Sequence, residues 1–353
     1  MTLLVLVFVA ALAFEFINGF HDTANSIATV VSTRVLTPRH AIILASAFNL
    51  LGAMAGTAVA ATIGKGMIDS QFITTEVILY GLIAGIIWNL ITWRYGIPSS
   101  SSHALIGGLC GAALANAANN WDVVIWYSHN PVTGAYEGVI PKIIIPMFIS
   151  PLFGLIIGFV VMGCFLVLLR KTRPVLVNRT FGKLQIFSAS WMAFSHGTND
   201  AQKTMGIITL ALVTATQAGV LSDLPELLGF LHMENFSTVP MWVKLLCAIT
   251  MAAGTAAGGW RIIRTLGHKM VKLQPIHGFA AETAAASIIQ VASHWGIPLS
   301  TTHVISSSIM GVGATKRLNA VKWPVVRSMV TAWALTLPIA GGLGYLLTQI
   351  FHT

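Results

Sequence analysis

Gly96-Ile97-Pro98-Ser99-Ser100-Ser101-Ser102-His103 is answered 200 residues later by Gly296-Ile297-Pro298-Leu299-Ser300-Thr301-Thr302-His303. A second pair keeps the same order along the chain: Asn18-Gly19-Phe20-His21-Asp22, then His196-Gly197-Thr198-Asn199-Asp200. Weaker echoes lie between, such as Gly56-Thr57-Ala58 against Gly254-Thr255-Ala256. Duplicated polar motifs with helix breakers inside apolar stretches are what a secondary transporter needs at its substrate site. The expected fold is an all-α polytopic membrane protein of two inverted repeats, with broken helices and re-entrant hairpins.

Composition supports a membrane setting. Apolar residues make up 55% of the chain and charged residues 9%, against about 25% charged in a soluble domain. Apolar runs near the bilayer-spanning length of about 20 residues recur at Ile42–Ile63, Val77–Trp93, Ile143–Leu169 and Val325–Leu347. Of the 11 acidic residues, Glu15, Asp22, Asp200 and Glu282 lie inside apolar segments. A carboxylate there is costly and points to function. The net charge of +9 does not indicate nucleic acid, because the basic residues sit between apolar runs without interleaved aromatics. Cys110, Cys164 and Cys247 are isolated, so neither a disulfide framework nor a thiolate metal site is expected. The first 18 residues lack a basic leader region and match Leu184–Ser195, so they are expected to stay in the mature protein.

Loop charge sets a path. Stretches around 34–40, 170–183, 261–275 and 316–327 are basic without acids. Those around 64–76, 119–142 and 217–244 hold Asp69, Glu76, Asp122, Glu137, Asp223, Glu226 and Glu234. Assigning the basic set to the cytoplasm places both termini outside and gives each half an odd number of crossings. The halves are read as 1–169 and 184–353, joined by a basic cytoplasmic linker at 170–183, with an external loop at about 217–240. Val77–Trp93 and Ala104–Ala118 either both span or form a hairpin with Gly96–Ser102 at its tip. The short run after His303 leans toward the hairpin, which would make Arg94 a buried charge near the site.

Pro98 and Pro298 suit a helix start, so Ser99, Ser100, Ser101, Ser102, Ser300, Thr301 and Thr302 fall in or beside a first turn with unpaired N–H groups. Such a terminus attracts anions, and inversion would turn the two starts toward each other. Gly19 and Gly197 are where the motif helices are expected to open. Asp22, Asp200, Asn18, Asn25 and Asn199 offer hard oxygens for Na⁺ or a divalent cation, and either Asp could instead carry a proton. Lys203, one turn after Asp200, could pair with it or with the anion; its counterpart is Asn25. His21, His103, His196 and His303 are candidates for proton relay, with His103 and His303 foremost because both copies keep them. Glu282 has Leu82 as its first-half equivalent. It is either a coupling carboxylate or an interfacial residue near Lys272–His277.

These motifs resemble the inorganic phosphate transporter (PiT) family, which carries a duplicated Gly-x-x-Asp-type motif and a duplicated Gly-x-Pro-x-Ser-x-x-His motif. The likeness runs from about Glu15 to Lys316, includes Ser188–Gly206 and Ser300-Thr301-Thr302-His303, and is nearest the bacterial low-affinity members. It implies phosphate symport with H⁺ or Na⁺ in a bacterial plasma membrane, no cofactor, homodimers among membrane lipid, and external termini. It implies phosphate contact for the Pro-Ser/Thr residues, and for Asp22 and Asp200 participation in substrate or cation binding. From their own chemistry, Asn25 and Lys203 are further phosphate-binding candidates, and Asp22, Asp200, Asn18, Asn199, His103, His303 and Glu282 are candidates for cation or proton coupling. Glu282 looks like a glutamate of animal sodium-linked relatives, whose first-half match is Leu82 here; that departure favours H⁺. A sulfate or other oxyanion permease is the nearest rival, and a divalent-metal transporter using the Asp/Asn/His set is another. A metal–phosphate complex would satisfy both sets. An intramembrane hydrolase lacks a unique nucleophile–base–orienter set.

Overall fold

The computed structural model describes residues 1–129, 134, 136–222 and 224–351. Asp223, one of the acidic-loop residues, lies outside them. The chain forms twelve α-helices among the described residues, plus a two-stranded ribbon, Ser128–His129 with Tyr136–Glu137. The first half holds α1 (Thr2–Ser32), α2 (Pro38–Ala53), α3 (Ala58–Lys65), α4 (Thr75–Tyr95), α5 (Ser101–Asn116) and α6 (Ile145–Leu168). The second holds α7 (Pro174–Gln217), α8 (Met241–Ala257), α9 (Trp260–Arg264), α10 (Pro275–His294), α11 (Thr301–Ala314) and α12 (Trp323–Phe351). Six helices fall in each half of the chain among the described residues.

The helices carrying the aspartate motifs do not open. α1 is continuous over 31 residues and α7 over 44, against the expectation of a break at Gly19 and Gly197. Those glycines are points of close helix approach. A methyl group at Gly19 would overlap the Met251 carbonyl of α8, and one at Gly197 the Asn49 carbonyl of α2. The breaks fall instead where the weaker sequence echoes lie. α2 and α3 meet at 68°, α8 and α9 at 58°, through 54–57 and Gly258-Gly259. α7 starts at Pro174, so most of the stretch read as a linker is helical; proline at a first helical position explains the early start.

α4 and α5 pack as a hairpin, as do α10 and α11. Each first arm ends in a left-handed glycine, Gly96 at φ 65° and Gly296 at φ 64°, a conformation that costs any other residue about 1–2 kcal/mol. α11 has 14 residues and α5 has 16. At about 1.5 Å per residue both fall short of a 30 Å hydrocarbon layer. Their tips meet the interior of α1 and α7, as the hairpin alternative expects, while α4 with 21 residues is by itself long enough to cross. Arg94 is exposed at the last turn of α4, not buried beside the site.

The halves interleave. α1 packs on α8 and α7 on α2; α5 packs on α12 and α11 on α6. α1 and α7 lie side by side in opposite directions: Glu15 meets Thr204, Asp22 meets His196 and Asp200, and Thr33 meets Gln185. Apolar side chains of α6, including Phe148, Leu152, Phe153, Ile156, Phe159 and Val160, point outward, as lipid-facing residues do. Loops sort by charge. At one end, Ser32 bonds the Gly267 carbonyl and Lys322 the Met270 carbonyl, gathering basic segments. At the other, Asp69 bonds Val123 and a 510 Å³ cavity is lined by Lys65, Asp69, Asp122, Gln217 and Asn235.

Candidate functional site

The two hairpin tips converge on the middle of the antiparallel α1–α7 pair. Ser101 Oγ donates to Asp22 Oδ2 at 2.8 Å and is 2.7 Å from Asn18 Oδ1. Thr302 reaches the other Asp22 oxygen at 3.3 Å, so both tips bind the same carboxylate. Thr301 Oγ1 donates to Asp200 Oδ2 at 3.0 Å, and Asn25 Nδ2 donates to Thr301 and Thr302 at 3.1 and 2.9 Å. The Lys203 ammonium binds Asp200, the Ser102 hydroxyl and, at 3.1 Å, the Leu299 carbonyl. Every one of these side chains is buried. A lone carboxylate would be expensive here, but hydroxyl and ammonium donors and the neighbouring imidazoles of His21 and His196 offset its desolvation.

The other candidates divide. Ser100 and Ser300 cap their helices, each accepting the N–H three residues on, at 3.2 and 3.3 Å. Ser99 turns to Thr92 at 2.9 Å, and Thr92 also meets His21 Nε2 at 3.1 Å. Asn199 holds the second tip, donating to Ser293 and to the Ile297 carbonyl. His103 and His303 do not face the aspartates. Their rings meet edge to face at 5.0 Å, and His303 stacks on Trp333 at 4.1 Å. Trp333 Nε1 donates to the Pro98 carbonyl at 3.0 Å, so this one residue of α12 touches both tips. Glu282 is fully buried rather than interfacial. It accepts from Thr29, Ser188 and Gln185, joining α1, α7 and α10 some turns away from the aspartates.

His196, one of the four motif histidines, is joined here by residues with little or no sequence signal. His196 Nε2 lies 3.1 Å from Asp200, and its other nitrogen meets Asn49, which donates to Thr255 at 2.9 Å. Thr255 belongs to the weak echo at 254–256; Asn49 had no pointer. The ligand atoms of Asp22, His196 and Asp200 lie within 4.8 Å of one another, close enough for one cation.

Apolar helices surrounding a buried, charged, two-sided site of short hydroxyls and carboxylates define a transporter of small ions, with the site where two hairpins meet. The phosphate transporter family model matches residues 18–344. A probable low-affinity inorganic phosphate transporter of Bacillus subtilis is 45% identical over 99% of this chain and 98% of its own length. Another so described, from Rhizobium meliloti, is 42% identical over 96% and 93%. A solved structure described as the sodium-dependent phosphate transporter shares the fold, with a TM-score of 0.81 at 24% identity, over 100% of this chain and 99% of that one. This chain belongs to the phosphate transporter family.

Proposed function

We propose that the chain moves inorganic phosphate across a bacterial plasma membrane by symport with protons, from two inverted halves whose termini face outward, as a homodimer. The observation that carries the site is the contact of both hairpin tips with Asp22. Ser101, Thr301 and Thr302 donate their hydroxyls to Asp22 and Asp200. Positive charge taken up near the two carboxylates would release those donors toward a phosphate, which two helix N-termini already favour. Charge neutralisation and anion binding then support each other, which is the thermodynamic requirement for coupling. Phosphate is favoured over sulfate because a protonated phosphate oxygen donates to a carboxylate acceptor and sulfate has no such donor.

The Asp22–His196–Asp200 cluster supports a second reading, in which a divalent cation enters with phosphate as a neutral complex; two carboxylates and an imidazole suit such an ion. Phosphate uptake into proteoliposomes under separately imposed pH and Na⁺ gradients tests the first reading. Inward acid gradients should drive accumulation. Uptake indifferent to pH but lost without Na⁺ would replace H⁺ by Na⁺. Dependence on added Mg²⁺ would favour the complex.

A further inference from the structure

Glu15 is the one acidic residue of the motif helices that the phosphate site does not use. It lies two turns before Asp22 on α1, fully buried. Its Oε2 accepts the Thr204 hydroxyl of α7, while Oε1 makes no close hydrogen bond among the described residues and faces the Asn18 amide. One turn on, the Asn18 amide nitrogen likewise makes no close hydrogen bond among them, and Asn18 Oδ1 is held at 2.7 Å by Ser101. Asn18 therefore stands between Glu15 and the hydroxyl that binds Asp22. The titratable groups facing Glu15 are Asp200 and Lys203 from α7 and the Cys247 thiol from α8. Lys203 is already engaged by Asp200, Ser102 and Leu299. α4 offers only Tyr80 between Glu76 and Arg94, and its hydroxyl turns to the Phe351 carbonyl. No titratable group of α2, α9, α10 or α11 acts on Glu15 among the described residues.

A purely structural acceptor for Thr204 needs no ionisable group and no second oxygen. A carboxyl that alternately holds and releases a proton needs both, together with a nearby site whose charge changes during the cycle. We infer that Glu15 carries the proton transported with phosphate, taking it on Oε1 from water on the outer side and returning it to water on the inner side. This rests on the proton-coupled reading above. Asp22 and Asp200 hold the anion site together, and Glu15 is the separate place where the coupling proton rides. The nearby Asp200–Lys203 pair lets anion arrival change the field at Glu15.

The test uses the full chain in proteoliposomes with two assays, phosphate exchange at equal pH and accumulation under a pH gradient. One proton moved down one pH unit supports about a tenfold phosphate gradient. Glu15→Gln keeps an acceptor for Thr204 and removes the proton site. Exchange should stay within about twofold of wild type while gradient-driven accumulation falls from about tenfold to about unity. Glu15→Asp, which keeps a carboxyl, should retain driven accumulation. Glu15→Gln accumulating like wild type would overturn the inference, and so would loss of exchange together with accumulation, which marks a residue shaping the site. Wild type showing no pH-driven accumulation would instead remove the proton-coupled reading itself, a result visible before any variant is made.

Discussion

Asp200 and Asp22 look equivalent in sequence, yet their surroundings differ. Asp200 is paired with a fully buried ammonium, Lys203, whereas Asp22 is held by hydroxyls and His21. Removing one partner of a buried ion pair leaves an uncompensated charge, at a cost of about 3–5 kcal/mol. Asp200→Asn should therefore lower thermal stability in detergent far more than Asp22→Asn, although both should abolish coupled uptake. The double variant Asp200→Asn/Lys203→Met should recover stability without recovering transport. Equal melting temperatures for the two single variants would sink the argument. Ser101→Ala and Thr301→Ala each remove a donor from the anion site. A hydrogen bond to a charged group is worth about 1.5–3 kcal/mol, so the half-saturating phosphate concentration should rise about 10- to 150-fold. Asp22, Asp200, Ser101 and Thr301 were legible because acids and clustered hydroxyls stand out against hydrocarbon. Asn49 and Trp333 were not, since a single amide or indole in an apolar run looks like any packing residue. His103 and His303 show a related ambiguity: duplication reports a shared structural need as readily as a chemical one, and their rings pack on each other and on Trp333.

At the scale of elements, small residues do more than the polar motifs to set geometry. α5 meets α12 through Gly107, Gly108 and Gly111 facing Gly341 and Gly344, the close approach that membrane helices use in place of hydrophobic driving force. A methyl group at Gly111 would overlap the Gly341 carbonyl, whereas Gly163 on α6 has nothing within 4 Å. Gly111→Ala should destabilise the protein by about 1–3 kcal/mol, and Gly163→Ala should be neutral in the same melting assay. Comparable losses in both would remove the packing explanation. This explains where sequence reading placed the helix breaks wrongly. A glycine inside an apolar helix signals either an opening or a close neighbour, and only tertiary packing distinguishes them. Gly19 and Gly197 proved to be neighbours' footholds, while the bends fell at 54–57 and 258–259.

For the whole molecule, composition and loop charge are the signals to weigh. Composition and basic stretches indicated a polytopic protein, and the folded chain gathers acidic and basic loops at separate ends. In a variant lacking Cys110, Cys164 and Cys247, a cysteine at Thr2 should react with an impermeant maleimide added outside intact cells. A cysteine at Lys322 should react only after permeabilisation. The reverse pattern would invert the assigned orientation. The interleaving of the halves was not legible, because no local pattern records which helix of one repeat will clasp which helix of the other.

That interleaving also fixes an order of events during synthesis. Asp22 and Asn25 emerge early, but their partners Thr301 and Thr302 lie about 280 residues later in the chain. Asp22 has His21 beside it and gains Ser101 about 80 residues on. Yet at about 5–20 residues per second, translation leaves Thr302 and both hydroxyl partners of Asn25 missing for tens of seconds. α1 must wait beside the translocation machinery, or in water at its mouth, with a carboxylate that hydrocarbon rejects. A nascent chain stalled before Thr301 should therefore be prone to quality-control proteolysis, and the last hairpin is the step that makes the first helix permanent.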